Sequence, residues 1–155
     1  MTRTRSRGFT LVELMVVVVI LAIIVGIAYP SYRNYMVQTR RSDAQSVLTQ
    51  VSHTQEKFFS SCNRYTSTMT GTMADCTGGG GGLGFPSNLS PDGHYTVAIA
   101  GGSIAGTGTI ATAYTATATP KAGGLQVGNG ALRIDSTGVK QWNKPGASWV
   151  SWSSK

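Results

Sequence analysis

The sequence predicts an α+β chain, with one long N-terminal helix packed on a small antiparallel sheet of three to four strands. Three observations carry this. An apolar run fills residues 9–29, an amphipathic pattern continues it over 30–60, and short alternating runs follow between 94 and 143. At 155 residues the chain holds one small domain plus whatever its N-terminus adds. Charged residues make up 12% and there are 20 glycines, which fits neither a disordered tail nor a highly charged cytosolic enzyme. The expected organisation is a basic segment at 1–8, an apolar helix at 9–29, an amphipathic half-helix at 30–60 and a head at 61–155. Within the head, loops fill 61–93 and the sheet 94–143.

Residues 9–29 read FTLVELMVVVVILAIIVGIAY. At 1.5 Å per residue they extend roughly 31 Å, close to the hydrocarbon thickness of a bilayer. With Arg3, Arg5 and Arg7 ahead of the run, the positive-inside rule keeps the N-terminus in the cytoplasm and sends the head out. An ordinary secretory signal is the rival reading, because Gly26-Ile27-Ala28 has the small-x-small form of a cleavage site. Two features oppose it. The run is longer than a signal core, and Glu13 lies inside it with no cation in the following turn. A carboxylate at membrane depth is costly and by default functional.

Arg7-Gly8-Phe9-Thr10-Leu11-Val12-Glu13-Leu14 resembles the class III signal of type IVa pilins and the related pseudopilins. The resemblance implies a pilin fold and removal of a leader peptide at 1–8. A prepilin peptidase would cut between Gly8 and Phe9 and N-methylate Phe9, leaving Glu13 as the fifth residue of the mature chain. Pro30 falls where such pilins bend their helix, and Ser31-Tyr32-Arg33-Asn34-Tyr35 after it is similar to the family. The implied partners are other pilin subunits, the peptidase, an inner-membrane assembly platform and the membrane itself. The implied location is the inner membrane before assembly, as a single-pass protein with a cytoplasmic N-terminus, and an extracellular pilus or fimbrium afterwards.

A physical reading of Glu13 stands beside this. Cleavage leaves a positive amine on Phe9. When subunits bundle their helices, both charges enter an apolar core, and a buried charge needs a partner. Axial stagger would bring the amine of an incoming subunit to Glu13 of its neighbour.

Pro30 lacks a backbone N–H and crowds the preceding turn, so a kink or local melting is expected there. Beyond it Ala44, Val47, Leu48, Val51, Gln55 and Phe58 recur at helical spacing. Arg40, Arg41, Asp43, Gln50, His53, Glu56 and Lys57 face elsewhere. Ser42-x-x-Gln45 reads either as a capping box that restarts the helix after a break at 39–41 or as chance. The helix should end near 59–61. Without residues 1–8 the chain carries 10 basic and 6 acidic residues, a balance that permits contact with nucleic acid or an anionic surface without demanding it.

In the head, Cys62 and Cys76 are an even pair in an exported chain and read first as a disulfide, with two unpaired thiols as the alternative. The glycines at 78–82 are followed by no Lys-Ser/Thr and preceded by no strand, so they read as a flexible surface loop rather than a phosphate cradle. Pro91-Asp92-Gly93 marks a turn. The runs 94–100, 110–119, 131–135 and 139–143 alternate as strands, the last two joined by a Ser136-Thr137-Gly138 turn. Residues 110–119, Lys121 and the run LRIDSTGVK at 132–140 look like PilE-type minor pilins, which include DNA-uptake receptors. Many such heads join their cysteines near the C-terminus, whereas here both precede the sheet.

The expectation is no enzyme, no metal and no cofactor. His53 and His94 have no Cys or carboxylate at ligand spacing, and Asp75, Asp92 and Asp135 are scattered in turns. The leading reading is a structural pilus subunit of the minor PilE-like kind, serving assembly, adhesion, motility or DNA uptake. The alternatives are a DNA-binding minor pilin and a type II secretion pseudopilin. For DNA, the candidate contacts are Lys121, Lys140, Lys144 and Trp142, among Trp149, Trp152 and Lys155, because cations interleaved with aromatics suit a nucleic-acid surface. The competing reading has the tryptophans packing the C-terminal segment onto the sheet.

Overall fold

The computed structural model describes residues 9–73, 76, 81–106 and 108–153. It bears out the α+β class. A helix, α1 (Leu11–Cys62), is followed by β1 (Tyr95–Gly101), β2 (Tyr114–Pro120), β3 (Leu132–Asp135), β4 (Lys140–Asn143) and β5 (Trp149–Ser151). The chain forms two compact units, 1–36 and 37–155. In the first, described from Phe9, every residue from Phe9 to Tyr35 is exposed. Thr10 starts the helix, its Oγ1 accepting the Glu13 N–H at 3.2 Å. That is the N-cap bond of a Thr-x-x-Glu box, with an acid in the first turn where the helix dipole favours it.

Two expectations about α1 need correction. No break occurs at 39–41, and Ser42 caps nothing: its hydroxyl donates back to Gln38 O at 3.3 Å inside a continuous helix. Serine can satisfy its hydroxyl on the preceding turn, so its presence does not require a helix start. The helix ends at Cys62 rather than 59–61. Asn63 then adopts φ 51°, and its N–H donates to Phe59 O at 2.7 Å, an αL cap.

The second unit is an antiparallel meander in the order β1-β2-β3-β4-β5 with one face covered by α1. The sheet thus has five strands, not three to four. β5 escaped notice because three residues are too few to show an alternation, yet it pairs Trp149 with Asn143 and Val150 with Trp142. The second strand starts at Tyr114 rather than 110, because Thr109–Thr112 close a turn in which Thr112 N–H donates to Thr109 O at 2.9 Å. The inner face carries Tyr95, Val97 and Ile99, then Tyr114, Ala116 and Ala118, then Leu132 and Ile134, then Trp142. These join Ala44, Val47, Leu48, Val51 and Phe58 of α1 in one apolar cluster. The helical stripe read from sequence is the buried one, Gln55 included.

Gln55 is polar yet fully buried, and it is satisfied. Its Nε2 donates to Thr66 O at 2.6 Å and its Oε1 accepts Thr66 N–H at 3.1 Å, which fastens the segment after α1 to the helix. Cys62 and Cys76 are joined. On the chain-entropy model a loop of that size stabilises by about 3 kcal/mol. The reading of 78–82 as a flexible loop is overturned at its described end; residues 77–80 lie outside the described residues. Gly82 is buried, its N–H donates to Thr72 O at 3.2 Å, and a Cβ there would overlap Thr70 O. Leu83 and Phe85 continue this pairing onto Thr68 O and Met69 O.

Asp135, expected only as a turn residue, is 2% exposed and locks the β3–β4 turn. Its Oδ1 accepts from Thr137 Oγ1 at 2.6 Å and from the N–H groups of Thr137 and Val139 at 3.0 Å each; Oδ2 accepts Ile104 N–H at 3.0 Å. Burial alone would raise its pKa, but the Thr137 hydroxyl and three backbone donors together hold it below the ordinary carboxylate value. A lowered folded pKa contributes stability above the unfolded value, lost as pH falls through the folded one. We therefore expect Asp135→Asn to lose about 2 kcal/mol at neutral pH. In urea unfolding curves the gap to wild type should close as pH drops below about 4.

Candidate functional site

The sheet brings some of the basic and aromatic candidates together and separates others. β2 ends, β3 begins, β4 ends and β5 begins at one end of the sheet, so Lys121 and Lys144 share that end. Lys140 starts β4 at the opposite end, where its Nζ lies 5.4 Å from the Trp152 ring. Lys121 and Lys140 are exposed and Lys144 is half-buried. Lys155 lies outside the described residues.

Trp142 is 4% exposed and serves the core. Its Nε1 donates to Asn129 O at 2.7 Å, and Arg41 stacks on its ring with Cζ 3.7 Å from the centroid. Trp152 packs against the same core and donates Nε1 to Gln141 O at 2.8 Å. Trp149 lies on the outer face under Arg133, whose Cζ is 3.8 Å from its ring and whose Nε and Nη2 both donate to Gln141 Oε1. The tryptophans thus do structural work, and the Trp142 ring lies buried under Arg41.

Arg41 did not show in the sequence as part of this site. The helical spacing sets it off the buried stripe of α1, but it points at Trp142 and donates Nη2 to Asn129 Oδ1 at 3.1 Å. Asn129 Nδ2 donates in turn to Gln126 Oε1 at 2.9 Å and to Tyr95 OH at 3.3 Å. One network therefore joins α1, β1, the β2–β3 loop and β4. Burial raises the pKa of Tyr95 and lowers those of Arg41 and Arg133 from their ordinary values. Both arginines stay charged, since guanidinium starts so high. The available signal for Arg41 was its position three residues before Ala44 on the buried stripe.

The network fixes the loop between β2 and β3. Val127 and Lys144 line one open depression of about 590 Å³ between that loop and the β4–β5 turn. Gly130, at φ 80°, lets the loop pass so close to β4 that a Cβ would overlap Asn143 O. From Lys121 to Lys155 the sequence holds five basic residues and one acid, Asp135, which is buried and fully engaged.

In the first unit, the residues from Leu11 to Tyr35 are exposed; those from Leu14 to Tyr29 carry no charged side chain, and Glu13 is the one acid. α1 is long and apolar enough to cross a membrane. Phe9 is 85% exposed, and Gly8 lies outside the described residues.

Residues 30–129 match the family model described as type IV minor pilin ComP, DNA uptake sequence receptor. Residues 3–29 match the prokaryotic N-terminal methylation motif. Among curated proteins the chain is similar to the type IV major pilin protein PilA of Myxococcus xanthus, 41% identical over 61 residues, covering 39% of this chain and 28% of that protein. It is also similar to the fimbrial protein EcpC of Eikenella corrodens, 41% over 44 residues (28% of this chain, 29% of that protein). A type IV major fimbrial protein, FimA of Dichelobacter nodosus, gives 43% over 44 residues, 28% of each chain. The chain thus spans under a third of the length of these curated relatives.

Packing and binding roles separate by substitution. Trp142→Ala should cost about 3–5 kcal/mol by thermal or urea unfolding, as loss of a buried aromatic does. Lys121→Ala, at an exposed position, should stay within about 0.5 kcal/mol of wild type, whereas Lys144 lies over the Trp142 ring with Nζ 6.0 Å from the centroid, so Lys144→Ala should cost about 0.5–1 kcal/mol.

Proposed function

This chain belongs to the type IV minor pilin family, its matched segment covering residues 30–129 of 155, and on that premise we propose that it is a minor pilus subunit whose head binds duplex DNA during uptake. The observation that carries the DNA part is the basic segment from Lys121 onward, whose single carboxylate is sequestered in the Asp135 turn. Phosphate neutralisation supplies most sequence-independent DNA affinity, and it needs cations without competing carboxylates. The DNA named in the matching family description points the same way. A type II secretion pseudopilin would share the N-terminal cassette; the minor pilin match and Pro30 with its tyrosine-rich sequel favour the pilus.

The rest of the proposal concerns processing and assembly. A prepilin peptidase removes 1–8 between Gly8 and Phe9 and methylates Phe9. The chain waits in the inner membrane with its N-terminus inside, then passes through an assembly platform into a pilus with other subunits. The exposed apolar run supports this, because lipid or neighbouring helices must cover it. Pro30 stands inside the unbroken α1, so no melting occurs there; it removes one backbone N–H from the helical ladder. Glu13, at the first turn of the apolar helix, accepts the Phe9 amine of an adjacent subunit when both leave the bilayer.

Glu13→Val should leave membrane insertion intact and cut the amount recovered in sheared filaments at least tenfold; wild-type recovery would sink the charge-pairing step. Mass spectrometry of sheared filaments should find a chain starting at methyl-Phe9 with Cys62 and Cys76 joined. For DNA, fluorescence anisotropy with the mature chain in detergent micelles should show affinity falling steeply with salt. Lys121→Ala/Lys144→Ala should flatten the log–log slope by about two. Absent or salt-insensitive binding would leave a purely structural subunit.

A further inference from the structure

The β2–β3 loop inverts the usual pattern of a surface segment. Gln126 is 1% exposed, whereas its neighbours Leu125 and Val127 are 72% and 62% exposed. A loop normally turns its apolar side chains inward, so a polar residue held inside by a dedicated network and two apolar ones held out call for an explanation. The holding is specific: Gln126 Oε1 accepts from Tyr95 OH at 3.3 Å and from Asn129 Nδ2, and Asn129 is clasped by Arg41 and Trp142. The tip is further closed by Gly124 N–H on Lys121 O and Val127 N–H on Gly124 O. Leu125 and Val127 are therefore presented by a pre-organised platform, with Lys121 at its base and Lys144 across the depression that Val127 lines.

We propose that this loop is the base-reading element of the DNA-binding head, with Leu125 and Val127 contacting thymine methyl groups in the major groove while Lys121 and Lys144 hold the flanking phosphates. The inference rests on the DNA reading above. Its chemistry is simple. The thymine 5-methyl is the apolar feature of the major groove, and apolar side chains are its natural partners. Lysines position a protein on the backbone without reading sequence, so a basic surface that also discriminates needs a second kind of contact beside them. Rigidity matters as well, because a loop already fixed by Gln126 and Asn129 loses little entropy on docking. A partner protein is the less fitting occupant. Two isolated apolar side chains fall far short of the roughly 800 Å² per partner of a stable interface, and the exposed Lys121 stands at the base of their loop.

The experiment uses the full mature chain in detergent micelles. A random-sequence duplex pool is enriched for the tightest binders, and the affinity for an enriched duplex is compared with that for the same duplex carrying deoxyuridine in place of thymidine. Wild type should lose roughly tenfold on removal of the methyl groups, the scale of one disfavoured base pair. In Leu125→Ser/Val127→Ser that ratio should fall to about one while the salt slope stays at the wild-type value. In Lys121→Ala/Lys144→Ala the slope should drop and the ratio persist. Both serine positions are exposed, so the variant keeps its core. A wild type blind to the methyls, a pool without enrichment, or a serine variant that still discriminates would each overturn the inference and leave DNA binding standing. A wild type that binds no duplex would remove the DNA reading itself. A serine variant lost from filaments with its discrimination intact would reassign the surface to a neighbouring subunit.

Discussion

The head depends on one contact, the burial of a single stripe of α1 on the inner face of the meander. Ala44, Val47, Leu48, Val51 and Phe58 meet a sheet whose centre is kept thin by Ala116 and Ala118 and whose flanks carry Val97, Ile99, Leu132 and Ile134. Side chains of unequal size share the layer, with Ala116 and Ala118 of β2 shallow where its neighbours are deep. Without that stripe the sheet would show water an apolar face it cannot cover, and its short strands would not persist alone.

Polar side chains then decide where the loops go. Gln55 fastens the chain after the helix to Thr66, Asp135 folds the β3–β4 turn around its carboxylate, and Arg41 reaches from α1 through Asn129 to the β2–β3 loop. Each has polar atoms that are poorly placed for water, so the geometry of its partners is strongly determined. That is how a chain with 20 glycines can hold definite loop conformations.

The sequence made the helix, its buried stripe and four of the strands legible, because each rests on a periodicity long enough to show. Alternation of Tyr95, Val97 and Ile99 needs no tertiary information, nor does the 3.6-residue spacing from Ala44 to Phe58. What stayed hidden depends on partners distant in the chain. Arg41 and Asn129 are separated by 88 residues, and nothing local marks either as a member of a network. Ser42 looked like a cap because its residue type fits one, whereas Thr10 with Glu13 had the same form and is the cap. β5 became a strand only because β4 was there to receive it. Of the basic candidates, Lys121 and Lys140 are exposed at opposite ends of the sheet and Lys144 is half-buried over Trp142. Trp142 was drawn to the site by its neighbours in sequence, although it faces the core.

The burial of Trp142 changes what kind of nucleic-acid surface this head can offer. A single-strand binder stacks unpaired bases on open aromatic faces. Here the Trp142 ring is covered by Arg41, Trp149 lies under Arg133, and Trp152 is packed on the core, so the broad aromatic faces are already engaged. Around the β2–β3 loop the exposed chemistry combines Lys121 with the rigidly mounted Leu125 and Val127. That combination suits a target whose bases stay stacked and whose readable features lie on groove edges, which is a duplex. The same packing that holds the C-terminal strands to α1 thus narrows the recognition mode, because each tryptophan committed to the fold is one fewer platform for a flipped or single-stranded base.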